Sequence, residues 1–253
     1  MTMIGIFGAG GRMGRAIAEA APLLGAGLAG GFDGKDGARG DHADALSLAR
    51  AAGVLVDFTA PDALAGHLDA AVAAGTPIVI GTTGLLPAHH AAIDAAARAI
   101  PLIQTANTSL GVNLLTALVR EAAARLGPDW DIDIVEMHHR HKLDTPSGTA
   151  LLLGAAANEG RGAADGAALN RFDRMQPGPH PREEGGIYYA SLRGGSVAGD
   201  HMVVFAGEGE RIELGHRAET RAIFARGAVK AALWLAEGRA PGRYTMADVL
   251  GLA

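Results

Sequence analysis

Apolar residues along the first hundred positions come in two rhythms. Short continuous runs at Met3 to Phe7, Leu28 to Phe32, Val54 to Phe58, Pro77 to Ile80 and Leu102 to Gln104 predict strands buried on both faces. Between them the spacing lengthens to four residues: Met13, Ile17, Ala21 and Leu24 share one face, as do Leu64, Leu68 and Val72. Wholly apolar strands alternating with amphipathic helices predict a doubly wound α/β unit, its parallel sheet covered on both sides.

After about Leu110 the pattern changes. A helix is predicted from Leu114 to Leu126, and Asp131 to Glu136 alternates polar and apolar residues as a half-exposed strand does. The stretch Asn158 to Glu184 is rich in Gly, Pro and charge and reads as a long loop. Ile187 to Arg193, Val197 to Phe205 and Arg211 to Arg217 then follow closely, with glycines between them. Successive strands without helices predict an antiparallel or mixed sheet, open on one face, in a second, α+β domain. From Glu219 to Glu237 the helical period returns, with Phe224, Ala228, Ala231 and Leu235 on one face that is expected to pack back on the first domain. The division expected is therefore 1–109 with 220–253, and 110–219.

Composition narrows the function. Hydrophobic residues at 49% and charged residues at 19% of 253 exclude a disordered chain. Lys and Arg number 22 against 27 Asp and Glu, a net −5 with no basic stretch, so no nucleic-acid partner is expected. The uncharged stretches Ala70 to Ala88 and Ala99 to Val119 are broken by glycines, prolines and amides, which argues against a membrane span. Met1 to Ala9 has no basic flank, so a cytoplasmic location is expected. The absence of cysteine removes disulfides, thiolate nucleophiles and Cys-based zinc sites. The 37 glycines have no three-residue period and point to tight turns or ligand-contacting loops.

The clearest local motif is Gly8-Ala9-Gly10-Gly11-Arg12-Met13-Gly14, directly after the first strand and opening the first helix. Glycines there let the backbone turn sharply and approach a pyrophosphate seated on the helix N-terminus. The glycines fall at 8, 11 and 14, with Gly10 added; the usual spacing asks for glycine where Met13 stands. Asp33 ends the second strand, nineteen residues past Gly14, where an acid binds ribose hydroxyls. A close-packing turn explains the glycines alone; strand, turn, helix and acid together favour dinucleotide binding. Asp33 repels a 2′-phosphate, whereas Lys35, Arg39 and Arg12 attract one, so both NADH and NADPH stay open. Gly81-Thr82-Thr83-Gly84 and Ala106-Asn107-Thr108-Ser109 follow the fourth and fifth strands, where ligands of parallel sheets bind, though each also suits an ordinary capped turn.

Glu136 to Ala150, with the sequence EMHHRHKLDTPSGTA, places three His, one Lys and one Arg within five residues just after a strand. Proton donors beside fixed positive charge suit protonation of an anionic or enamine-like substrate. The following Pro146-Ser147-Gly148-Thr149 is a helix-start signature whose N–H groups and hydroxyls offer a carboxylate pocket. Together they imply a small substrate with one or more carboxylates. His138 and His141 with Glu136 form an alternative zinc set, disfavoured by Arg140 and Lys142 beside them, so no metal is expected; a solvated basic loop is the plain alternative.

This segment resembles the signature of the 4-hydroxy-tetrahydrodipicolinate reductase (dihydrodipicolinate reductase) family, E-x-H-H-x-x-K-x-D-x-P-S-G-T-A, at every fixed position. The resemblance extends to Gly8–Arg15, Asp57-Phe58-Thr59, Gly81–Gly84, Ala106–Asn113, Arg193, Gly194, Gly199, His201, Gly209-Glu210-Arg211, Phe224 and Ala231–Leu235. It implies an NAD(P)H-binding Rossmann domain joined to a substrate domain through whose sheet the chains form homotetramers. It also implies reduction of 4-hydroxy-tetrahydrodipicolinate, a dicarboxylate of the diaminopimelate route to lysine, with domain closure before hydride transfer. Cofactor contacts are implied for Gly8, Ala9, Gly10, Gly11, Arg12, Met13, Asp33, Lys35, Gly81, Thr82, Thr83, Ala106, Asn107, Thr108 and Ser109. His138 and Lys142 match the catalytic proton donors; His139, Lys142, Ser147, Gly148 and Thr149 match substrate-binding positions. The segment Gly34 to Ala52 is shorter than is usual in the family, and Gly34 rather than a basic residue follows the acid; dual cofactor use, with NADH at least as good, is the expectation.

Overall fold

A computed structural model of the chain describes residues 1–34, 40–175 and 177–252. They form two compact units, one of Met1–Leu110 with Ala222–Ala253 and one of Gly111–Arg221.

The first unit begins with β1 (Met3–Phe7), α1 (Arg12–Leu23), β2 (Gly27–Phe32), α2 (Ala45–Ala51), β3 (Val54–Asp57), α3 (Pro61–Ala74), β4 (Ile78–Ile80), α4 (Pro87–Ala97) and β5 (Pro101–Gln104). Local chemistry sets these boundaries. Asp44 and Ser47 make a reciprocal capping box that starts α2. Pro61 opens α3, and Gly75, at φ 68°, ends it in the left-handed conformation that costs glycine nothing.

The second unit takes in α5 (Leu110–Leu126) from its second residue, then β6 (Asp131–His138), α6 (Gly148–Gly160), β7 (Asn170–Arg171), a 3₁₀ turn at Asp173–Met175, β8 (Ile187–Arg193), β9 (Asp200–Gly207) and β10 (Glu210–Arg217). Its sheet runs β10-β9-β6-β8-β7, antiparallel on one side of β6 and parallel on the other. Alternation along β6 buries Ile132, Ile134, Glu136 and His138. Ile132 and Ile134 share a core with Leu115 and Val119 of α5 and Leu153 of α6. Val135 and Met137 take the opposite, partly exposed face, beside Met202 and Val204 of β9 and Leu192 of β8, which is 50% exposed.

The chain then completes the first unit with α7 (Ala222–Leu235), β11 (Gly242–Tyr244) and α8 (Met246–Leu250). The six-stranded parallel sheet has the order β11-β5-β4-β3-β1-β2. One face is covered by α1 and α7, whose Ile17, Ala228 and Leu235 are fully buried with Ile4 of β1; the other by α2, α3 and α4. Fully burying such an aliphatic side chain contributes about 1.5–3 kcal/mol. Val54, Leu55 and Val56 are buried on both sheet faces, the reason their run reads as uninterrupted apolar sequence.

Three expectations are corrected. The strand predicted from Val197 starts at Asp200, because Gly195 and Gly199 take positive φ of 51° and 152° ahead of it. The helix predicted from Leu114 starts one turn earlier, and the long loop of 158–184 contains the end of α6, β7 and the 3₁₀ turn. Helices α2, α4 and α8 and strand β11 were not anticipated. Among the described residues no helix is long and apolar enough to cross a membrane.

Candidate active site

The turn after β1 is made of backbone and space. Gly8 has φ +82°, and a Cβ on it would lie 3.0 Å from the Phe58 carbonyl oxygen; a Cβ on Gly14 would overlap the Gly8 carbonyl. The Gly11 N–H donates to Gly8 O at 3.0 Å, and Gly11 caps α1 with no side-chain acceptor. The free N–H groups of that first turn are a ready seat for a phosphate. Asp33, just past β2, accepts the Gly10 N–H on Oδ2 at 3.1 Å, joining the predicted acid to the predicted turn. A cavity of about 450 Å³ is lined by Gly8, Gly11, Asp33, Phe58, Thr59 and His67. Glycines for close approach, unpaired helix N–H groups and a carboxylate at the next strand end fit a dinucleotide. Ala9 and Met13 are half-buried in this turn and Arg12 is exposed, whereas Lys35 and Arg39 lie outside the described residues.

The neighbouring loops are tied to this cavity. Asp57, fully buried, accepts the Thr59 N–H, the Thr59 hydroxyl and the Thr82 hydroxyl on Oδ1 at 3.0, 2.6 and 3.0 Å, and meets His67 Nδ1 at 2.7 Å. Thr82 is thus a buried strap between two loops, Gly81 packs tightly on the Phe58 ring, and Thr83 is exposed. At the fifth strand end Asn107 Oδ1 accepts the Ser109 N–H at 2.9 Å, an Asx turn, while Thr108 donates to Phe224 O of α7 at 2.7 Å. Thr108 and Ser109 are buried, and Ala106 and Asn107 are the accessible part of that loop.

In the second unit the basic segment starts inside the sheet. His138 ends β6 on its buried face, 8% exposed, with Nδ1 2.5 Å from Glu136 Oε2. Glu136 is 1% exposed and is gripped by Arg193 of β8 through two hydrogen bonds, at 2.9 and 2.8 Å. Burial pushes the Glu136 carboxyl up, but the hydrogen bonds led by Arg193 outweigh it and hold it below its ordinary value. An ionised Glu136 accepts from His138 Nδ1–H, so the ring offers Nε2 outward. Gly199 keeps that nitrogen uncovered: a Cβ there would sit 3.0 Å from Nε2, at a φ of +152° that L-residues avoid.

Lys142 pairs with Asp144 at 2.7 Å, a counter-ion that holds the Asp144 carboxyl low. Arg221 donates to His139 Nε2 at 3.2 Å. Desolvation, then the nearby Arg221 charge, lowers the His139 pKa, so this imidazole is neutral at pH 7. Arg140 and His141 are exposed, the latter 6.3 Å from the His139 ring.

Ser147 is the N-cap of α6, its Oγ accepting the Ala150 N–H at 3.1 Å. Its own N–H donates to Glu136 Oε1 at 3.3 Å, and Oγ also meets His201 Nε2 at 2.9 Å. At 1% exposure Ser147 is therefore a buried cap, while Gly148 is exposed and Thr149 half-exposed at the helix start. Glu136 thus joins the predicted proton donor to the predicted carboxylate pocket. Sequence reasoning had no role for Arg193, Asp144, His201 or Arg221. Arg193 and His201 stand among the residues of the family resemblance, Asp144 inside the signature; Arg221 carries no signal. Among the described residues no group of three or more His, Asp or Glu is arranged to hold a metal ion.

The chain is similar to known proteins. Residues 2–108 match the family model described as dihydrodipicolinate reductase, N-terminus, and residues 111–250 match its C-terminus counterpart. The 4-hydroxy-tetrahydrodipicolinate reductase of Zymomonas mobilis is 62% identical over 251 residues, covering 98% of this chain and 97% of the relative. That of Acidiphilium cryptum is 51% identical over 250 residues, with 98% and 97% covered. The fold is similar to that of a dipicolinate-bound dihydrodipicolinate reductase from Paenisporosarcina sp. TG-14, with TM-score 0.80, 24% identity and 98% of each chain covered. The chain belongs to the dihydrodipicolinate reductase family.

Proposed function

We propose that this chain catalyses the NAD(P)H-dependent reduction of 4-hydroxy-tetrahydrodipicolinate to tetrahydrodipicolinate, with loss of water, in the diaminopimelate route to lysine. The observation that carries this reading is the buried Glu136 carboxylate, which holds His138 Nδ1 on one oxygen and the Ser147 N–H on the other. A proton donor and an anion pocket are thereby fixed to one group.

The dinucleotide is bound by the Gly8–Met13 turn, Asp33, Gly81–Thr83 and Ala106–Ser109, and when bound it supplies a hydride to ring C4 of the substrate. Loss of water makes the substrate a conjugated cyclic imine, and hydride addition moves an electron pair toward the ring nitrogen. His138 then gives its Nε2 proton to the enamine-like product, its ring held in place by the Glu136 carboxylate on Nδ1. Lys142 offsets negative charge as it develops. His139, Gly148 and Thr149 bind the carboxylates, with Ser147 acting beneath them as the cap. Asp33 makes NADH at least as good a reductant as NADPH. The half-exposed apolar stripe of Val135, Met137, Leu192, Met202 and Val204 is the face through which four chains assemble, in the cytoplasm.

The test is loss of reduced-nicotinamide absorbance with substrate made in situ from pyruvate and aspartate semialdehyde by the preceding synthase. Oxidation that depends on the synthase is expected; none with either nucleotide, in protein that binds dinucleotide, overturns the reading in favour of a sensor or another substrate.

A further inference from the structure

His201 has no part in the chemistry above, yet it is built into the same cluster. On β9 it lies opposite Glu136 of β6 and His216 of β10, and it is 5% exposed. Its ring stands edge-on to that of His138, centroids 5.0 Å apart at 73°. Its Nε2 is 2.9 Å from Ser147 Oγ, and its Nδ1 is buried without a partner.

The cap fixes which way that hydrogen bond runs. Ser147 Oγ already accepts from the Ala150 N–H, so its remaining need is an acceptor for its own proton. With Ser147 donating to Nε2, the imidazole proton sits on Nδ1 and is the single unpartnered group. With the other tautomer, the serine proton and the Nδ1 lone pair are both unpartnered. Burial, reinforced by the neighbouring His138, pushes the His201 pKa down to about 4, so the acceptor is present at neutral pH.

We propose that His201 is a positioning residue for the substrate carboxylate: as a neutral acceptor it locks the Ser147 hydroxyl on α6, and so holds the N–H groups of Gly148 and Thr149 in binding position. The inference rests on the proposed reductase function. It assigns His201 to binding; His138 keeps the proton transfer.

The experiment compares H201F, H201Q and S147A with wild type in the synthase-coupled assay, with dipicolinate as competing ligand and NADH binding followed by fluorescence. Phenylalanine keeps the ring against His138 but removes the acceptor; glutamine can place an oxygen near the lost Nε2. In H201F and S147A the substrate KM and the dipicolinate inhibition constant rise by about fivefold, the scale of one N-cap bond, with kcat and NADH affinity nearly unchanged. H201Q recovers most of the loss, and the H201F/S147A double variant is no worse than either single variant. A wild type that oxidises no nucleotide overturns the functional reading itself. An active wild type whose H201F and S147A forms keep both constants within twofold, or lose NADH and dipicolinate binding alike, overturns the role of His201 alone. If H201F does not fold, S147A and H201Q decide by the same constants.

Discussion

The two candidate binding regions, one in each unit, are built by opposite means. The turn after β1 works by leaving side chains out, with Gly8, Gly11 and Gly14 clearing room around helix N–H groups. The segment around His138 works by crowding charges in and matching them, Glu136 with Arg193 and His138 and Lys142 with Asp144, while Arg221 donates to the neutral His139. The first arrangement tolerates a changed charge and fails on an added carbon. The second tolerates modest changes of volume and fails when one charge is removed.

The widest break in this comparison is expected at His138. His138→Gln lowers turnover by roughly 10²- to 10⁴-fold with NADH affinity unchanged, measured by steady-state assay beside fluorescence titration; unchanged turnover removes the residue from the mechanism. Glu136→Gln leaves the Arg193 charge without its partner inside the second unit and lowers folding stability by about 3 kcal/mol, read from urea unfolding. A variant as stable as wild type shows that the carboxylate is replaceable and the crowding incidental.

Gly14→Ala tests the other half. Its new methyl overlaps the Gly8 carbonyl, so NADH binding weakens at least tenfold, by about 1.4 kcal/mol or more, while dipicolinate binding stays as it was. Equal loss of both ligands contradicts the separation of the two devices. A further effect is one of pH. His201 ionises near 4 in the fold against 6.5 ordinarily, so between those values the unfolded chain takes up a proton that the folded one refuses. Stability therefore falls as pH drops through that window, and H201F flattens this part of the curve. A wild-type stability that does not change across the window would falsify the neutral, buried imidazole.

Legibility followed the distance over which each feature is encoded. β1 and β8 match their predicted runs residue for residue: β1 is almost wholly buried, and β8 opens on the buried, strand-favouring Ile187, Tyr188 and Tyr189. α4, with the sequence PAHHAAIDAAA, has Ile93 as its one large apolar side chain, too little for a periodic signal. β11 is three residues long and exists through pairing with β5. In the second unit, His138, Lys142 and the cap at Ser147 lie within one fifteen-residue stretch; spacing marks the basic cluster and the helix start, and the family resemblance singles out His138 and Lys142. Their partners were not legible from spacing: Arg193 reaches Glu136 across 57 positions and Arg221 reaches His139 across 82, each as a single residue in an ordinary setting. Ser147 was read as a ligand for substrate because a hydroxyl at a helix start suggests one; its burial against Glu136 and His201 depends on strands that local spacing does not describe.

The return of the chain to the first unit carries a consequence for its biogenesis. α7 supplies Ala225, Ala228, Val229, Ala231, Ala232 and Leu235, all fully buried, to the core shared with Ile4, Ile6 and Ile17, and β11 forms the outer strand beside β5. A ribosome delivers these residues only after the whole second unit. Throughout synthesis of the intervening 111 residues, the nascent first unit keeps one face of its sheet without α7, and by their end the second unit has every strand it needs. The order of completion is therefore the reverse of the order in which the two units begin: the inserted unit closes first, and the glycine turn gains its finished sheet when α7 and β11 emerge.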